Sequence, residues 1–224
     1  MAALGERYRA IALDLRGHGG AGAARPVSLD AVIGDVSRAT PERFDLAGYS
    51  MGGRIALHAA LLLGDRVRRL VLIGASPGLA DPAEREERRR ADERLAAEIE
   101  TSTIEEFAER WARTPVLAGL APDLAARAHA DRLRNRPDGL ARALRALGTG
   151  ALPSLWERLG ELTAPVELVV GERDAKFRSL AEQMAAGLPA ARVHVVAGAG
   201  HAVHLEAPAA VARIVAHPQG EGEG

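Results

Sequence analysis

The sequence predicts an α/β fold, a mostly parallel sheet with helices on both faces. Short apolar runs predict the strands, which we place at residues 11–15, 44–47, 70–73, 166–170 and 193–196. Between most of these runs lie segments with a helical spacing of apolar residues, such as 54–63 and 180–188. Because parallel strands must be joined by crossovers, this alternation indicates a parallel sheet that helices cover on both sides.

The alternation breaks once, between about residues 82 and 147. This stretch is rich in Ala, Arg, Glu and Leu in helical patterns separated by prolines, and it contains no strand pattern. We therefore expect an all-helical lid at residues 79–151, inserted into a discontinuous α/β core of residues 1–78 and 152–216. Residues 217–224 carry no apolar side chain, so we expect a disordered tail there.

The composition is that of an ordinary globular protein, with 47% hydrophobic residues, 26% charged residues and a net charge of −1. This balance gives no electrostatic reason to expect a nucleic-acid or membrane partner. The absence of cysteine excludes disulfides, thiolate catalysis and zinc–thiolate sites. Because no apolar run approaches about 18 residues and no secretory signal pattern is present, we expect a cytoplasmic location.

A G-x-S-x-G motif follows the predicted strand at 44–47 and precedes a predicted helix. It reads Gly48-Tyr49-Ser50-Met51-Gly52. In that context the motif forms a tight turn that lifts a nucleophilic serine out of the sheet, and the glycines leave room for the turn. The sequence therefore predicts Ser50 as a nucleophile, with the backbone N–H of Met51 as a donor to a developing oxyanion.

A serine nucleophile needs a base and an acid that orients the base, and two residues that follow later strands could supply them. Asp174 comes just after the strand at 166–170, and His201 comes just after the strand at 193–196. Each has an ordinary alternative, because Asp174 could cap the next helix and His201 could be a surface histidine. Their order, acid before histidine, favours a Ser50–Asp174–His201 triad at the carboxyl ends of three strands.

The run Gly17-His-Gly-Gly-Ala-Gly22 matches the G-x-G-x-x-G pattern of dinucleotide-binding loops. That function requires a helix starting at the third glycine, and Pro26 would break such a helix within its first turns. The longer run that starts at Asp14, D-x-x-G-H-G, resembles instead a loop common in α/β-hydrolases. We therefore expect no dinucleotide at this loop. As a separate expectation, the protein requires no metal or other organic cofactor.

Further motifs make the resemblance more specific. They extend through the turn at Ser50, the expected lid and the segments around Asp174 and His201. The motifs are Gly52-Gly-Arg54, Ser76-Pro-Gly-Leu79, Glu84-Arg-Glu-Glu-Arg88, Phe107-Ala-Glu-Arg-Trp111, Gly148-Thr-Gly150, Pro153-Ser-Leu-Trp156, Gly171-Glu-Arg-Asp-Ala-Lys-Phe177 and Gly200-His-Ala-Val-His-Leu-Glu-Ala-Pro208. Together they resemble the 2-succinyl-6-hydroxy-2,4-cyclohexadiene-1-carboxylate (SHCHC) synthases of menaquinone biosynthesis, over about residues 5–215. The resemblance implies a lyase that removes pyruvate from 2-succinyl-5-enolpyruvyl-6-hydroxy-3-cyclohexene-1-carboxylate.

The resemblance also implies which residues contact this small polyanionic substrate. They are Tyr49, Arg54, Arg88, Trp111 and Arg134. Guanidinium forks suit carboxylates, and Arg54 lies one helical turn after Ser50, on the same helix face. In a chain with a single lysine and many arginines, however, each arginine could be solvated surface, and Trp111 could merely pack the lid onto the core.

Members of that family begin with three strands before the one expected at residues 11–15, and a His-Gly loop after the third supplies a second oxyanion donor. We expect the first three strands to be absent here, and explain this by a misplaced start site, with Met1 inside a helix of a longer protein. Besides the synthase, two functions stay open: a serine hydrolase of esters or carbon–carbon bonds, and a non-catalytic remnant that binds a ligand or partner.

Overall fold

The computed structural model describes residues 8–114, 116–117 and 119–216. In that part of the chain, four strands form one parallel sheet in the order β1-β2-β3-β4. Their bounds are β1 Phe44–Tyr49, β2 Val67–Ile73, β3 Val166–Gly171 and β4 Ala191–Val196. Each of the four contains one of the predicted apolar runs.

The helices in the same part of the chain alternate with the strands, except that four follow one another between β2 and β3 and two follow β4. They are α1 Leu29–Ala39, α2 Met51–Leu63, α3 Pro82–Thr101, α4 Ile104–Ala112, α5 Pro122–Arg132, α6 Pro137–Leu147, α7 Ala175–Gly187, α8 Val203–Glu206 and α9 Pro208–Ala216. Side chains fix several starts: Ser28 caps α1, Asp81 caps α3, and Thr103 forms a capping box with Glu106.

The sheet carries helices on both faces, as predicted. On one face, α2 and α7 pack on β2 and β3, with Leu57, Leu72 and Met184 among the buried side chains. On the other face, α8 and α9 supply Val203 and Val211 to a smaller buried cluster against the same two strands. Burial on both faces explains why β2 from Leu70 onward and most of β3 are continuous apolar runs rather than alternating ones.

The strand predicted at residues 11–15 is absent, and that prediction is wrong. The segment is irregular and pairs with no strand in the described ranges, while Ile11 and Leu13 keep 42% and 40% of their surface exposed. An apolar run forms a strand only where a neighbouring strand satisfies its backbone groups, and the pattern carries no information about that neighbour. The tail predicted at 217–224 lies outside the described residues.

The helical segment between β2 and β3 has its own small core and also contacts the α/β core. Helices α3, α4 and α6 bury Ile99, Phe107 and Leu140 together. The segment reaches the core near Ser50, since Leu147 at the end of α6 packs in a cluster with Val32 of α1 and Ile55 of α2. Among the described residues, no helix is both long and apolar enough to span a bilayer.

Candidate active site

Ser50 lies in a strained turn between β1 and α2. Its backbone has φ 51° and ψ −113°, the only left-handed φ of a non-glycine residue in the described ranges, and its N–H donates to the Ile73 carbonyl at 2.8 Å. A β-carbon at Gly48 would lie 2.4 Å from the Gly52 carbonyl oxygen, and one at Gly53 would lie 2.5 Å from Ala75 Cβ. At Gly52 a β-carbon would meet open space, so Gly48 and Gly53, rather than the motif's second glycine, make the turn possible.

The structure brings Ser50, His201 and Asp174 together. His201 Nδ1 lies 2.6 Å from Asp174 Oδ2, and His201 Nε2 lies 3.3 Å from Ser50 Oγ. With its Nδ1–H donated to the carboxylate, the imidazole presents Nε2 as an acceptor to the serine hydroxyl. Only 7% of His201 is exposed, and its ring packs against Tyr49 and Phe177. This geometry allows His201 to take a proton from Ser50.

Asp174 serves two purposes, although the sequence offered them as alternatives. Its Oδ1 accepts the Phe177 backbone N–H at 3.3 Å and caps α7, while its Oδ2 faces His201. The loops that carry Asp174 and His201 come together at Gly171, where a β-carbon would lie 2.1 Å from the Gly200 carbonyl oxygen. Absence of a side chain at Gly171 therefore lets the acid and the base reach each other.

Gly74 provides a direct test of how the position of His201 is set. Its φ is +52°, and a β-carbon there would lie 3.0 Å from His201 Cε1 and 3.2 Å from Nδ1. We expect Gly74→Ala to push the imidazole away from Ser50 and to slow covalent labelling of Ser50 by a fluorophosphonate about 10-fold or more.

Gly64→Ala is the matched control, because Gly64 has the same φ of +52° but no heavy atom within 4 Å of the added carbon. Both variants place an alanine at the same left-handed φ, and only Gly74→Ala crowds the histidine. Equal labelling rates for the two variants would contradict this account of Gly74.

Arg54 lies on α2 one turn after Ser50, and its buried side chain makes a single described hydrogen bond. Its exposure is 6%, its Nη2 donates to the Leu147 carbonyl at 3.2 Å, and its Nε has no partner. Burial, followed by the charge of Arg88, lowers the pKa of Arg54 to about 10, and the charge of Asp92 opposes that shift. The guanidinium therefore stays charged at neutral pH beside the turn and retains unused donors, as a carboxylate receptor would.

Arg88 projects from α3 of the helical segment, and its charge reaches Arg54. The Arg88 Nε donates to Asp92 Oδ1 at 2.7 Å, one helical turn away, and 48% of the Arg88 side chain is exposed. One edge of the guanidinium is thus held by a carboxylate within the protein. The terminal nitrogens carry no described hydrogen bond and can bind a ligand.

The structure separates the two arginines at the end of α5 and just after it. Arg134, which was predicted to contact substrate, is 65% exposed and pairs with Asp131 at 3.0 Å. Arg132 is half-buried, and burial lowers its pKa while the nearby Tyr49 phenol raises it. Residues two apart face different sides of a helix, so the sequence alone could not choose between them. Arg132, which the sequence analysis missed, is the one whose charge acts on Tyr49, the residue before Ser50.

Tyr49 and Met51 flank Ser50, as the motif requires. Burial and the charge of Asp174 raise the pKa of the Tyr49 phenol, which therefore remains an O–H donor. Met51 is the first residue of α2, and the first N–H groups of a helix have no acceptor within the helix. Trp111 instead stacks on Phe107 inside the helical segment, with ring centroids 5.5 Å apart, so its described contacts are packing contacts.

A cavity of about 380 Å³ opens beside the imidazole. Its walls come from Asp174, Phe177 and His201 of the core and from Val116 and Leu120 of the helical segment. Within the described residues, no group of three or more His, Asp or Glu side chains is placed to hold a metal ion. The loop with the G-x-G-x-x-G pattern forms a short 3-10 turn at Gly19–Ala21 rather than a helix start.

Comparisons with known proteins place this site in a family. The sequence profile of the Alpha/beta hydrolase family matches residues 1–214. The SHCHC synthase of Salmonella paratyphi C (strain RKS4594) is 38% identical over 216 residues, 93% of this chain and 83% of that enzyme. The chain belongs to the α/β-hydrolase family, in its SHCHC synthase branch. A Bacillus subtilis (strain 168) protein that provisionally carries the same name is 37% identical, over 92% of this chain and 79% of its own length.

Solved structures of α/β-hydrolases agree with this placement. MenH from S. aureus superposes with a TM-score of 0.85 and 31% identity, covering 91% of this chain and 80% of that one. A hydrolase from Pseudomonas aeruginosa PA01 has a TM-score of 0.72 and 25% identity, covering 90% and 76%. The synthase branch therefore matches this chain in both sequence and structure more strongly than that hydrolase does.

Proposed function

We propose that this protein is an SHCHC synthase, a carbon–oxygen lyase that eliminates pyruvate from 2-succinyl-5-enolpyruvyl-6-hydroxy-3-cyclohexene-1-carboxylate. The observation that carries the proposal is the pairing of a serine–histidine–aspartate arrangement with a buried, charged arginine one helical turn away. A simple ester has no carboxylate for Arg54 to bind, whereas this substrate carries carboxylates on its ring, its succinyl arm and its enolpyruvyl group. The Salmonella and Bacillus relatives support the same activity.

The names of substrate and product define the bonds that change. The substrate has one ring double bond, at C3, and the product has two, at C2 and C4. The ring hydrogen at C2, next to the succinyl carbonyl, must therefore leave as a proton, and the C5–O bond must break. The C2–H electron pair forms the C2 double bond, the C3 pair moves to C4, and the C5–O pair leaves with the enolate of pyruvate.

The residues around Ser50 can move the proton in this reaction. Ser50, deprotonated by His201, removes the C2 proton, and the imidazolium is stabilised by Asp174 at 2.6 Å. The succinyl carbonyl becomes an oxyanion as charge spreads from C2, and the free Met51 N–H at the start of α2 can donate to it. The imidazolium then returns a proton to the departing pyruvate enolate, so the protein ends unchanged and no water is consumed.

The carboxylates of the substrate need fixed cations, and three arginines are available near the turn. Arg54 comes from α2, Arg88 from α3 and Arg132 from the end of α5, so two of the three belong to the helical segment. We therefore assign residues 79–151 to a lid whose arginines bind carboxylates. Tyr49 can add a hydrogen bond from its protonated phenol, while Trp111 packs inside the lid.

The proposal is tested by following pyruvate release with lactate dehydrogenase and NADH. We expect pyruvate and SHCHC in equal amounts from the enolpyruvyl substrate. We also expect p-nitrophenyl acetate to be hydrolysed with a kcat/KM at least about 10³-fold lower, because that ester lacks the carboxylates that would engage the arginines.

Two results would separate the alternatives. Efficient ester hydrolysis without pyruvate release would favour a serine hydrolase that uses the same Ser50 and His201. Substrate binding without either reaction would favour a non-catalytic binding protein.

A further inference from the structure

Asp92 is the most deeply buried carboxylate of the helical segment, with 4% of the residue exposed. It lies on α3, and its two oxygens face different elements. Its Oδ1 accepts from Arg88 Nε at 2.7 Å, and its Oδ2 accepts from the Gly150 backbone N–H at 3.3 Å. A carboxylate in such a place is retained at a cost in desolvation, which is offset only by well-aligned partners.

The chain segment that Asp92 holds also contacts Arg54. Residues 147–150 link α6 to the return into the core, and the Leu147 carbonyl accepts from Arg54 Nη2 at 3.2 Å. A β-carbon at Gly148 would lie 2.7 Å from Asp92 Oδ2, so the chain runs directly against the carboxylate there. Asp92 therefore binds Arg88 through one oxygen. Through the other it binds the 147–150 segment, whose Leu147 carbonyl accepts from Arg54.

The charges of the three residues are coupled as well. Arg54 and Arg88 are close enough for the charge of Arg88 to disfavour the charged form of Arg54, and the charge of Asp92 acts in the opposite direction. Without Asp92, the charge of Arg88 would act on Arg54 with no compensation from that carboxylate. Repulsion would then tend to move Arg88, the more exposed of the two, out into solvent.

We propose that Asp92 is a positioning residue for substrate binding, which holds the Arg88 guanidinium edge-on so that Arg88 and Arg54 receive a carboxylate together. The inference rests on the proposed function for the identity of the ligand. It assigns Asp92 no contact with substrate and no proton transfer, so its removal acts on binding and leaves the chemical step nearly unchanged.

The test measures binding separately from turnover, in the Ser50→Ala background, by calorimetry with the enolpyruvyl substrate itself. We expect Asp92→Asn to raise Kd about 10- to 30-fold, since the charge-assisted bond that orients Arg88 is lost. In the enzyme with Ser50, the same change should raise KM by a similar factor and leave kcat within about threefold. Glu86→Gln is the matched control, because Glu86 lies on the same helix and accepts from Arg89 and Arg90 at the exposed surface.

A double mutant distinguishes positioning from general loss of structure. If Asp92 acts through Arg88, Asp92→Asn should weaken binding little further once Arg88→Gln is present, whereas independent effects would multiply. Arg88→Lys serves if Asp92→Asn fails to fold, because lysine keeps the charge but lacks the Nε–H that Asp92 holds. We expect Arg88→Lys to weaken binding at least about fivefold.

Unchanged Kd in Asp92→Asn, multiplicative effects in the double mutant, or wild-type binding by Arg88→Lys would each overturn the role of Asp92. Failure of the proposed function has a different signature. The protein would release no pyruvate, yet its Kd would still respond to Asp92→Asn. If Ser50→Ala did not bind the substrate at all, the role of Asp92 would be refuted together with the carboxylate receptor.

Discussion

Replacing Ser50 with alanine will abolish pyruvate release, lowering kcat by at least about 10⁴-fold. The reason is geometric: the Ser50 oxygen lies 3.3 Å from His201 Nε2, and Ser50 comes immediately before the start of α2. Alanine leaves the imidazole without a hydroxyl to deprotonate, so the base that would remove the ring proton is lost. Substrate affinity should change little, because the arginines that bind the carboxylates are untouched.

The measurement is the lactate dehydrogenase assay, with calorimetry on the same preparation to confirm binding. Ser179→Ala is the control, since Ser179 is an exposed serine on α7 whose hydroxyl contacts only Gln183 in the described structure. It should retain full activity. If Ser50→Ala kept more than about a tenth of wild-type kcat, proton abstraction by Ser50 would be wrong and His201 would have to act directly.

The parts of the fold that the sequence predicted well are those fixed by local pattern. Each run buried on both faces became a strand, and the G-x-S-x-G motif between a strand and a helix became the turn that carries Ser50. In both cases the residues that determine the structure are neighbours in the chain. The segment at 11–15 failed for the opposite reason, because a strand depends on a partner that the run itself does not contain.

The residues of the candidate site fall into the same two groups, those fixed by local pattern and those that depend on distant packing. Asp174 and His201 follow strands, so their positions are inherited from the sheet, and order along the chain was enough to pair them. The surroundings of the arginines in the helical segment depend on how the helices pack, and Arg132, the last residue of α5, and Arg134, just after it, differ in burial. Asp92 did carry a local signal, its position four residues after Arg88, but the surrounding run of Arg and Glu hid it.

Replacing Arg54 with methionine is the second change with a large expected effect, and it should separate stability from function. Arg54 is a buried cation with an unpartnered Nε, and burial lowers its pKa to about 10. Because the unfolded chain holds this proton more tightly than the folded one, the charge destabilises the fold below about pH 10, by about 3 kcal/mol. Methionine fills similar space without the charge, so we expect a melting temperature equal to or a few degrees above wild type.

The same substitution removes a buried cation one helical turn from Ser50, so we expect kcat/KM for pyruvate release to fall about 10³-fold, mainly through KM. Arg145→Met is the matched control: Arg145 pairs with Glu93 and Glu100 across α3 and α6, and those hydrogen bonds raise its pKa. Its loss should lower the melting temperature and leave KM within about threefold. Arg54→Met and Arg145→Met are thus expected to have opposite effects: the first raises KM without lowering the melting temperature, and the second lowers the melting temperature with little change in KM. An Arg54→Met protein that melts well below wild type yet keeps its KM would assign Arg54 to the fold and remove it from the carboxylate receptor.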